Sequence, residues 1–475
     1  MNVDWLSHLP SPLRRGLYFG LQRAIGSRIS SVWREFQSWE HLSPTALNVR
    51  VEERLTETLS AALARNSYYR ELGLVRKPGE TAAEFLTRFP TLTREKIREH
   101  FTELVADDLR GEIASPASVA RRRYDWLVVK TGGTTGHPTT VVHDARARDW
   151  GRATRLFAAR QCGQPLGTRY FRLWGSETDL LEARMNLPQR AQQALLGYIP
   201  MNAFRARAAD LARHYDTMRR HPEIDRMEAY VDAAVSLAFY IQERKLPPPR
   251  LHGIIACAGT VTPEWRRVLE ETFGAEVFDK YGSRECCDMA CECREHQGLH
   301  IFSPNVFLEV VDASGSACPP GETGRLLVTL LNNPSFPMIR YDIGDLAQRA
   351  EAGPCACGLA WPRLHSLQGR PDDMLITEDG TLLTSVMVRH FVGVSLNWQI
   401  IREWQLEQVE RRRCVFRYLP VTQEGLEENL AKIQDCFHLT LGKGIAIECQ
   451  RVSEIPRSAH GKQRWIINST TKKPA

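Results

Sequence analysis

The run VVKTGGTTGHPTT, residues Val128 to Thr140, crowds three glycines, a series of threonines and a proline into one short segment. Such a run suits neither the interior of a helix nor that of a strand. Backbone N–H groups in a glycine-rich turn form a concave nest for an anion, most often phosphate. The preceding YDWLVV is rich in β-forming residues, so the loop is expected at the end of a strand. No Lys-Ser/Thr pair follows the glycines, which excludes a Walker loop. The glycines also miss the first, third and sixth positions of a dinucleotide fingerprint. What remains is a loop in which the hydroxyls of Thr131, Thr134 and Thr135 and the amides of Gly132, Gly133 and Gly136 wrap a triphosphate.

Outward from this loop, the chain reads as an ordinary globular protein of 475 residues, long enough for two or three domains. Its 62 Lys+Arg and 56 Asp+Glu are interspersed, which argues against a nucleic-acid tract. No apolar run approaches the roughly 20 residues of a membrane span. The segment WLSHLPSPLRRGLYFGLQRAIGSRI carries scattered arginines and no continuous apolar core, so it makes a poor secretory signal. A cytoplasmic protein is expected, with this segment an amphipathic helix packed on its own domain rather than on a membrane surface.

Residues Trp33 to Glu112 read mainly as helices, with Thr91 or Thr93 capping one that enters at Arg94. Helical spacing predicts two more helices between Asn202 and Arg244, and the region from Phe171 to Asn202 is taken as helical too. Strand signals follow in HGIIACA, VFLEVVD and GRLLVTLL. A layered α/β body fits this order. After GRPDDML the pattern restarts as a smaller α+β unit: a strand at CVFRYL, a helix from Glu424 to Phe437 and a strand at GIAIECQRV. Domains 1–368 and 369–475 are therefore expected. The stretch at Gly369 is either an ordinary interdomain turn or a hinge.

Four further motifs follow the loop in order: KYGSRE (Lys280–Glu285), RYDIGD (Arg340–Asp345), GRPDDML (Gly369–Leu375) and RSAHGKQRW (Arg457–Trp465). Taken singly each is commonplace; as an ordered series they resemble the adenylate-forming superfamily of acyl-CoA synthetases, adenylation domains and luciferases. The resemblance runs from Lys130 to the C-terminus. ECREHQGLHIF, NPSFPMIRYDIGDLAQ and CACGLAWPRLHSLQGRPDDMLI resemble the phenylacetate-CoA ligase family, in particular its relatives in capsule biosynthesis. The fold so implied is a large multi-layer α/β domain with a helical N-terminal region, joined by a hinge to a small α+β C-terminal domain.

The resemblance implies ATP-dependent activation of a carboxylic acid to an acyl-adenylate, then transfer to coenzyme A. Forcing two anions together makes positioning and charge neutralisation the main tasks. Residues Thr131–Gly136 would hold the β- and γ-phosphates, and Glu285 would hold Mg²⁺. Within Tyr281, Gly282 and Ser283 the tyrosine ring would stack on adenine, while Asp345 and Arg370 would contact the ribose. Lys462 would bridge the attacking carboxylate and the α-phosphate. Asp372 would be the pivot about which the C-terminal domain rotates, taking Lys462 out of the site for thiol attack.

The chain has 12 cysteines, unevenly spread. Without a secretory signal they are not expected to form a disulfide framework. Cys293, His300, Cys355 and Cys357 make a Cys₃His set of the kind that closes a tetrahedral zinc site. The phenylacetate-CoA ligase family carries a similar arrangement, and a structural Zn²⁺ is expected. Cys286, Cys287 and Cys291 read as small buried residues, with Cys291 an alternative ligand.

The departures matter as well. Thr139 stands where the superfamily has a lysine, and Gly132 where it has a serine. Arg284 replaces the threonine that touches the α-phosphate; its guanidinium either takes over that contact or faces elsewhere. Ala258, Gly259 and Thr260 lie where the family lines adenine and substrate, with Thr260 in place of an acid. The acceptor stays open between coenzyme A, a carrier-protein thiol and an amine, and a non-catalytic nucleotide-binding scaffold is the reading from another class. A homodimer is a family-level expectation.

Overall fold

The computed structural model describes residues 4–114, 125–130, 139–174, 187–203, 208–259, 261–351, 353–368, 374–378, 382–384, 400–455 and 466–470. The chain divides into two compact units: Met1–Lys130 with Thr140–Ile343 and Ala347–Ser366, and Thr131–Thr139 with Gly344–Leu346 and Leu367–Ala475.

The first unit opens with helices, among them Ser11–Ala24, Ile29–Ser38, Pro44–Arg65 and Arg94–Glu99. Thr93 is the cap of the last of these, its hydroxyl accepting from the Lys96 amide at 3.3 Å. Strands β1 (Trp126–Lys130) and β2 (Thr140–Asp144) pair antiparallel, with Lys130 opposite Thr140, on either side of the glycine-rich segment in sequence. Residues 131–138, and with them the expected phosphate-binding positions Thr131 to Gly136, lie outside the described residues.

The main sheet is built from β3 (Tyr170–Trp174), β4 (Tyr198–Asn202), β5 (Arg226–Tyr230), β6 (Gly253–Cys257), β7 (Glu276–Ser283), β8 (Cys287–Cys291), β9 (Leu299–Ile301), β10 (Val306–Val311), β11 (Thr323–Leu330), β12 (Tyr341–Arg349) and β13 (Arg363–Gln368). Their order is β10-β11-β12-β13-β9-β8-β7-β6-β5-β3-β4. From β4 to β7 every pair is parallel; at β7–β8 the pairing turns antiparallel. The parallel strands are joined through helices Leu187–Leu196, Val231–Glu243 and Pro263–Phe273, the doubly covered arrangement expected of a parallel sheet. The region from Phe171 to Asn202, expected as helical, holds the helix Leu187–Leu196 but also β3 and β4. Strands of five residues are too short to show a clear alternation, so their pattern does not differ from that of a helix segment.

Helix Ala145–Gln161 ties the N-terminal helices to this sheet. Phe36 packs against Trp150 at 6.0 Å and Phe157 at 5.3 Å between centroids, and Phe157 meets Trp361 at 4.7 Å with the rings tilted by 32°. Burying each such ring stabilises the unit by about 1.5–3 kcal/mol. Asp149 on the same helix accepts from the Arg28 amide at 2.7 Å and the Ser27 hydroxyl at 2.5 Å, which supplies the otherwise uncapped start of Ile29–Ser38.

The second unit holds the strand pair β14 (Met374–Ile376) and β15 (Leu382–Thr384), and a four-stranded sheet of β16 (Ile401–Glu410), β17 (Arg413–Pro420), β18 (Ala446–Arg451) and β19 (Ile466–Asn468), in the order β18-β17-β16-β19. Helix Leu426–Leu441 buries Ile433, Phe437 and Leu441 against Trp404, Leu406 and Phe416. The sheet-and-helix layer is the small α+β fold expected from CVFRYL and GIAIECQRV. Gln408 accepts from the Ile376 amide at 2.7 Å and donates to its carbonyl at 2.8 Å, standing in for a strand partner. The expected ribose contact Arg370, the expected pivot Asp372 and the expected catalytic Lys462 lie outside the described residues.

Candidate functional site

KYGSRE spans the end of β7 and the turn into β8. A register shift falls between Tyr281 and Gly282, and a β-carbon at Gly282 would lie 2.7 Å from the Cys287 carbonyl oxygen. Only glycine lets the strand bend so sharply there. The bend exposes Arg284 and turns Glu285 inward, where it is 3% exposed. Tyr281 and Ser283 are half-buried.

Glu285 is held at two points. His143 of β2 donates from Nε2 to its carbonyl at 2.7 Å, because a carbonyl can only accept. Burial lowers the His143 pKa, so the ring is the neutral Nε2–H tautomer. The Tyr341 hydroxyl donates to Glu285 Oε1 at 3.4 Å, and Arg94 supports it from Nε at 3.3 Å while bonding the Ile343 carbonyl at 2.7 Å. A buried carboxylate aimed by one hydroxyl retains free lone pairs, the property a Mg²⁺ ligand needs. His143 carries no motif, Arg94 was read only as a helix start, and Tyr341 lies within RYDIGD without a role assigned to it; what brings them to Glu285 is the topology that joins β2, β12 and the helix Arg94–Glu99 to the β7 turn.

Arg340, the first residue of RYDIGD, is structural. It sits at φ 49° and donates to Glu309 at 3.2 Å and to the carbonyls of Thr87, Phe89 and Gly315. Asp345 lies in β12, half-buried. Beyond β6, Ala258 is exposed and adopts φ 59°, a left-handed conformation that costs a non-glycine residue about 1 kcal/mol or more. Gly259 follows it, half-buried, and Thr260 lies outside the described residues.

The expected metal ligands do converge. One ligand atom from each of Cys293, His300, Cys355 and Cys357 lies within 4.8 Å of all the others. Cys293 follows β8, His300 is on β9, and both remaining cysteines come from the loop between β12 and β13, which the pairing of Arg363 with His300 brings alongside. Two tetrahedral Zn–S bonds of about 2.3 Å put their sulfurs about 3.8 Å apart; Cys293 and Cys355 Sγ are 3.7 Å apart. Cys357 Sγ is 3.3 Å from His300 Nε2. Burial pushes the Cys293 thiol up to about 12 and His300 down to about 4, so the thiol would need a cation to give up its proton, while the neutral imidazole is already a ligand. The donor set fits Zn²⁺, and Cys291 does not belong to it.

No family model matches the chain. It is 25% identical to the phenylacetate-coenzyme A ligase of Thermus thermophilus over 460 residues, 90% of this chain and 98% of that one. Protein CapK of Staphylococcus aureus is 21% identical over 88% of this chain and 91% of its own length. Among solved structures, 2-hydroxyisobutyryl-CoA ligase in its postadenylation state matches with a TM-score of 0.62 at 19% identity over 88% of each chain; an open conformation of that ligase, in complex with 2-HIB-AMP and CoA, matches at 0.53. The chain thus has the fold of the solved ligases and, along nearly its whole length, is similar in sequence to phenylacetate-coenzyme A ligase.

Proposed function

We propose that the protein is a carboxylate-CoA ligase. In the first step a carboxylate oxygen attacks the α-phosphorus of ATP, the bond to the β-phosphate oxygen breaks, and pyrophosphate leaves an acyl-adenylate. In the second the coenzyme A thiolate attacks the acyl carbon and AMP departs. The observation that carries this reading is the similarity to phenylacetate-coenzyme A ligase along 90% of the chain, and the anchored Glu285 agrees with it.

In this reading Glu285 holds Mg²⁺ and Tyr281 stacks on adenine. The glycine-rich loop takes the phosphates, and Asp345 with Arg370 takes the ribose. Lys462 neutralises the transition state, and rotation about Asp372 exchanges the two half-reactions. Zn²⁺ on Cys293, His300, Cys355 and Cys357 is structural: four protein ligands leave no position for a reacting water. Among the described residues no helix is long and apolar enough to cross a membrane; the reading places the enzyme in the cytoplasm, where ATP and coenzyme A are found.

The test is exchange of labelled pyrophosphate into ATP across a panel of carboxylic acids, followed by thioester formation on adding coenzyme A. Exchange with one class of acid supports the ligase. Binding of ATP without exchange for any acid would favour a nucleotide-binding scaffold, and exchange without thioester would point to a carrier-protein thiol or an amine as acceptor.

A further inference from the structure

The N-terminal segment expected as an amphipathic helix on its own domain does form one, Ser11–Ala24, but it packs with polar residues inward: those it buries are Arg14, Tyr18 and Gln22. Arg14 donates to the carbonyl of Leu9 at 3.0 Å and to that of Gly167. The Ser11 hydroxyl donates to the same Gly167 carbonyl at 2.8 Å, and Gln22 accepts from Arg152 at 2.6 Å. Buried polar groups need such partners. Together these bonds fix how the helix is turned about its axis.

That turn leaves Leu13, Gly16, Leu17 and Gly20 outside, at i, i+3, i+4 and i+7, the spacing of one helix face. Leu13 is 57% and Leu17 46% exposed. A β-carbon at Gly16 or Gly20 would meet nothing within 4 Å, so no described part of the domain covers this side. Trp5, 60% exposed, stands on the short helix Asp4–His8, which packs against Leu187–Leu196 as Ser11–Ala24 does. An apolar stripe of this kind ordinarily faces the core; here it faces solvent.

The charge around it is of one sign. From Trp5 to Arg34 the chain carries five arginines and no acidic residue. Arg23, three residues beyond Gly20, borders the leucine face, and Arg15 and Arg28 are exposed as well. None of these three has a carboxylate partner among the described residues. Leucines and a tryptophan beside unpaired arginines make the composition of a helix that lies in the boundary between lipid headgroups and acyl chains. Arginine stems can run along the apolar surface and bring their charge to the phosphates. A second copy of the helix would find room at the glycines, but it would set these arginines against like charges.

We propose that this face docks the protein on an anionic lipid surface, with Trp5, Leu13 and Leu17 entering the headgroup boundary and the arginines pairing with lipid phosphates.

The experiment is co-sedimentation of the full chain with vesicles of phosphatidylcholine alone and of phosphatidylcholine with about 30% phosphatidylglycerol. Affinity for the anionic vesicles should be at least about tenfold the higher and should weaken in about 0.5 M salt. Leu13→Ala with Leu17→Ala should lower it by at least about tenfold, and Arg23→Gln with Arg28→Gln by a similar factor. All four positions are exposed, so the melting temperature of both variants should stay at the wild-type value, which separates lost docking from lost folding. Failure to bind either vesicle, equal binding to both, or wild-type binding by either folded variant would overturn the proposal. So would a concentration-dependent dimer in light scattering that the leucine variant abolishes, which would assign the face to a second copy.

Discussion

The Tyr341 hydroxyl donates to Glu285 Oε1 at 3.4 Å, across 56 residues of sequence. Tyr341 is fully buried and Arg94 fixes its oxygen from the other side. Its pKa is raised by burial and then by the charge of Glu285, so it stays a donor. The hydroxyl therefore orients the carboxylate without competing with it for a metal ion.

Tyr341→Phe should remove that orientation and little else, since ring packing is conserved. A hydrogen bond to a charged group contributes about 1.5–3 kcal/mol, and one as long as this falls at the low end. Adenylation should slow by about tenfold, with the Mg²⁺ concentration for half-maximal exchange rising. A Mg²⁺ titration of pyrophosphate exchange checks this; slower exchange with an unchanged Mg²⁺ midpoint would place the role of Tyr341 in packing alone.

The Cys₃His cluster makes a prediction about composition and stability. Purified protein should contain one zinc per chain by elemental analysis. Cys355→Ser should lose it and lower the melting temperature, because a structural site joins its ligand energy to folding. Prolonged chelation should have the same effect. If acyl transfer fell while metal content and melting temperature held, the cluster would have a chemical role instead.

Lys462→Ala should separate the half-reactions. If the lysine serves adenylation only, pyrophosphate exchange falls by about 10²–10³, the cost of removing one preorganised charge contact. Thioester formation from a synthetic acyl-adenylate should then proceed at close to the wild-type rate. Equal loss in both assays would contradict a rotation that carries the lysine away.

How much of this was legible beforehand depended on range along the chain. Glu285 and the Cys₃His set stood out because residue type and motif order announce them, and strands such as Val306–Val311 because β-branched runs are bounded by turn residues. Strands β3 and β4 were misread because five-residue runs without a clear alternation carry no period that separates them from a helix. His143 and Tyr341 were missed for a different reason: each meets Glu285 only after the sheet is assembled. Arg172, Glu228 and Lys280 look like solvated charges one by one, and only the register of β3, β5 and β7 reveals that they are buried together.

That buried set also predicts a pH dependence. Burial opposes ionisation of Glu228, but Lys280, Arg172 and Arg155 outweigh it and hold its pKa down at about 2 against an ordinary 4.5. A carboxylate whose folded pKa is depressed contributes stability that is fully present above 4.5 and is lost as pH falls through that value towards 2. Glu228→Gln removes this contribution and leaves Lys280 with Asp288 as its one carboxylate. The variant should be less stable than wild type by about 3 kcal/mol at neutral pH, the lower end for breaking a buried pair because one partner remains. Urea unfolding of both proteins from pH 7 down to pH 3 measures the difference. It should be constant above pH 5 and shrink below it, as wild type alone loses the Glu228 charge. A difference that stays level to pH 3 would mean that the substituted amide destabilises through shape and not through charge.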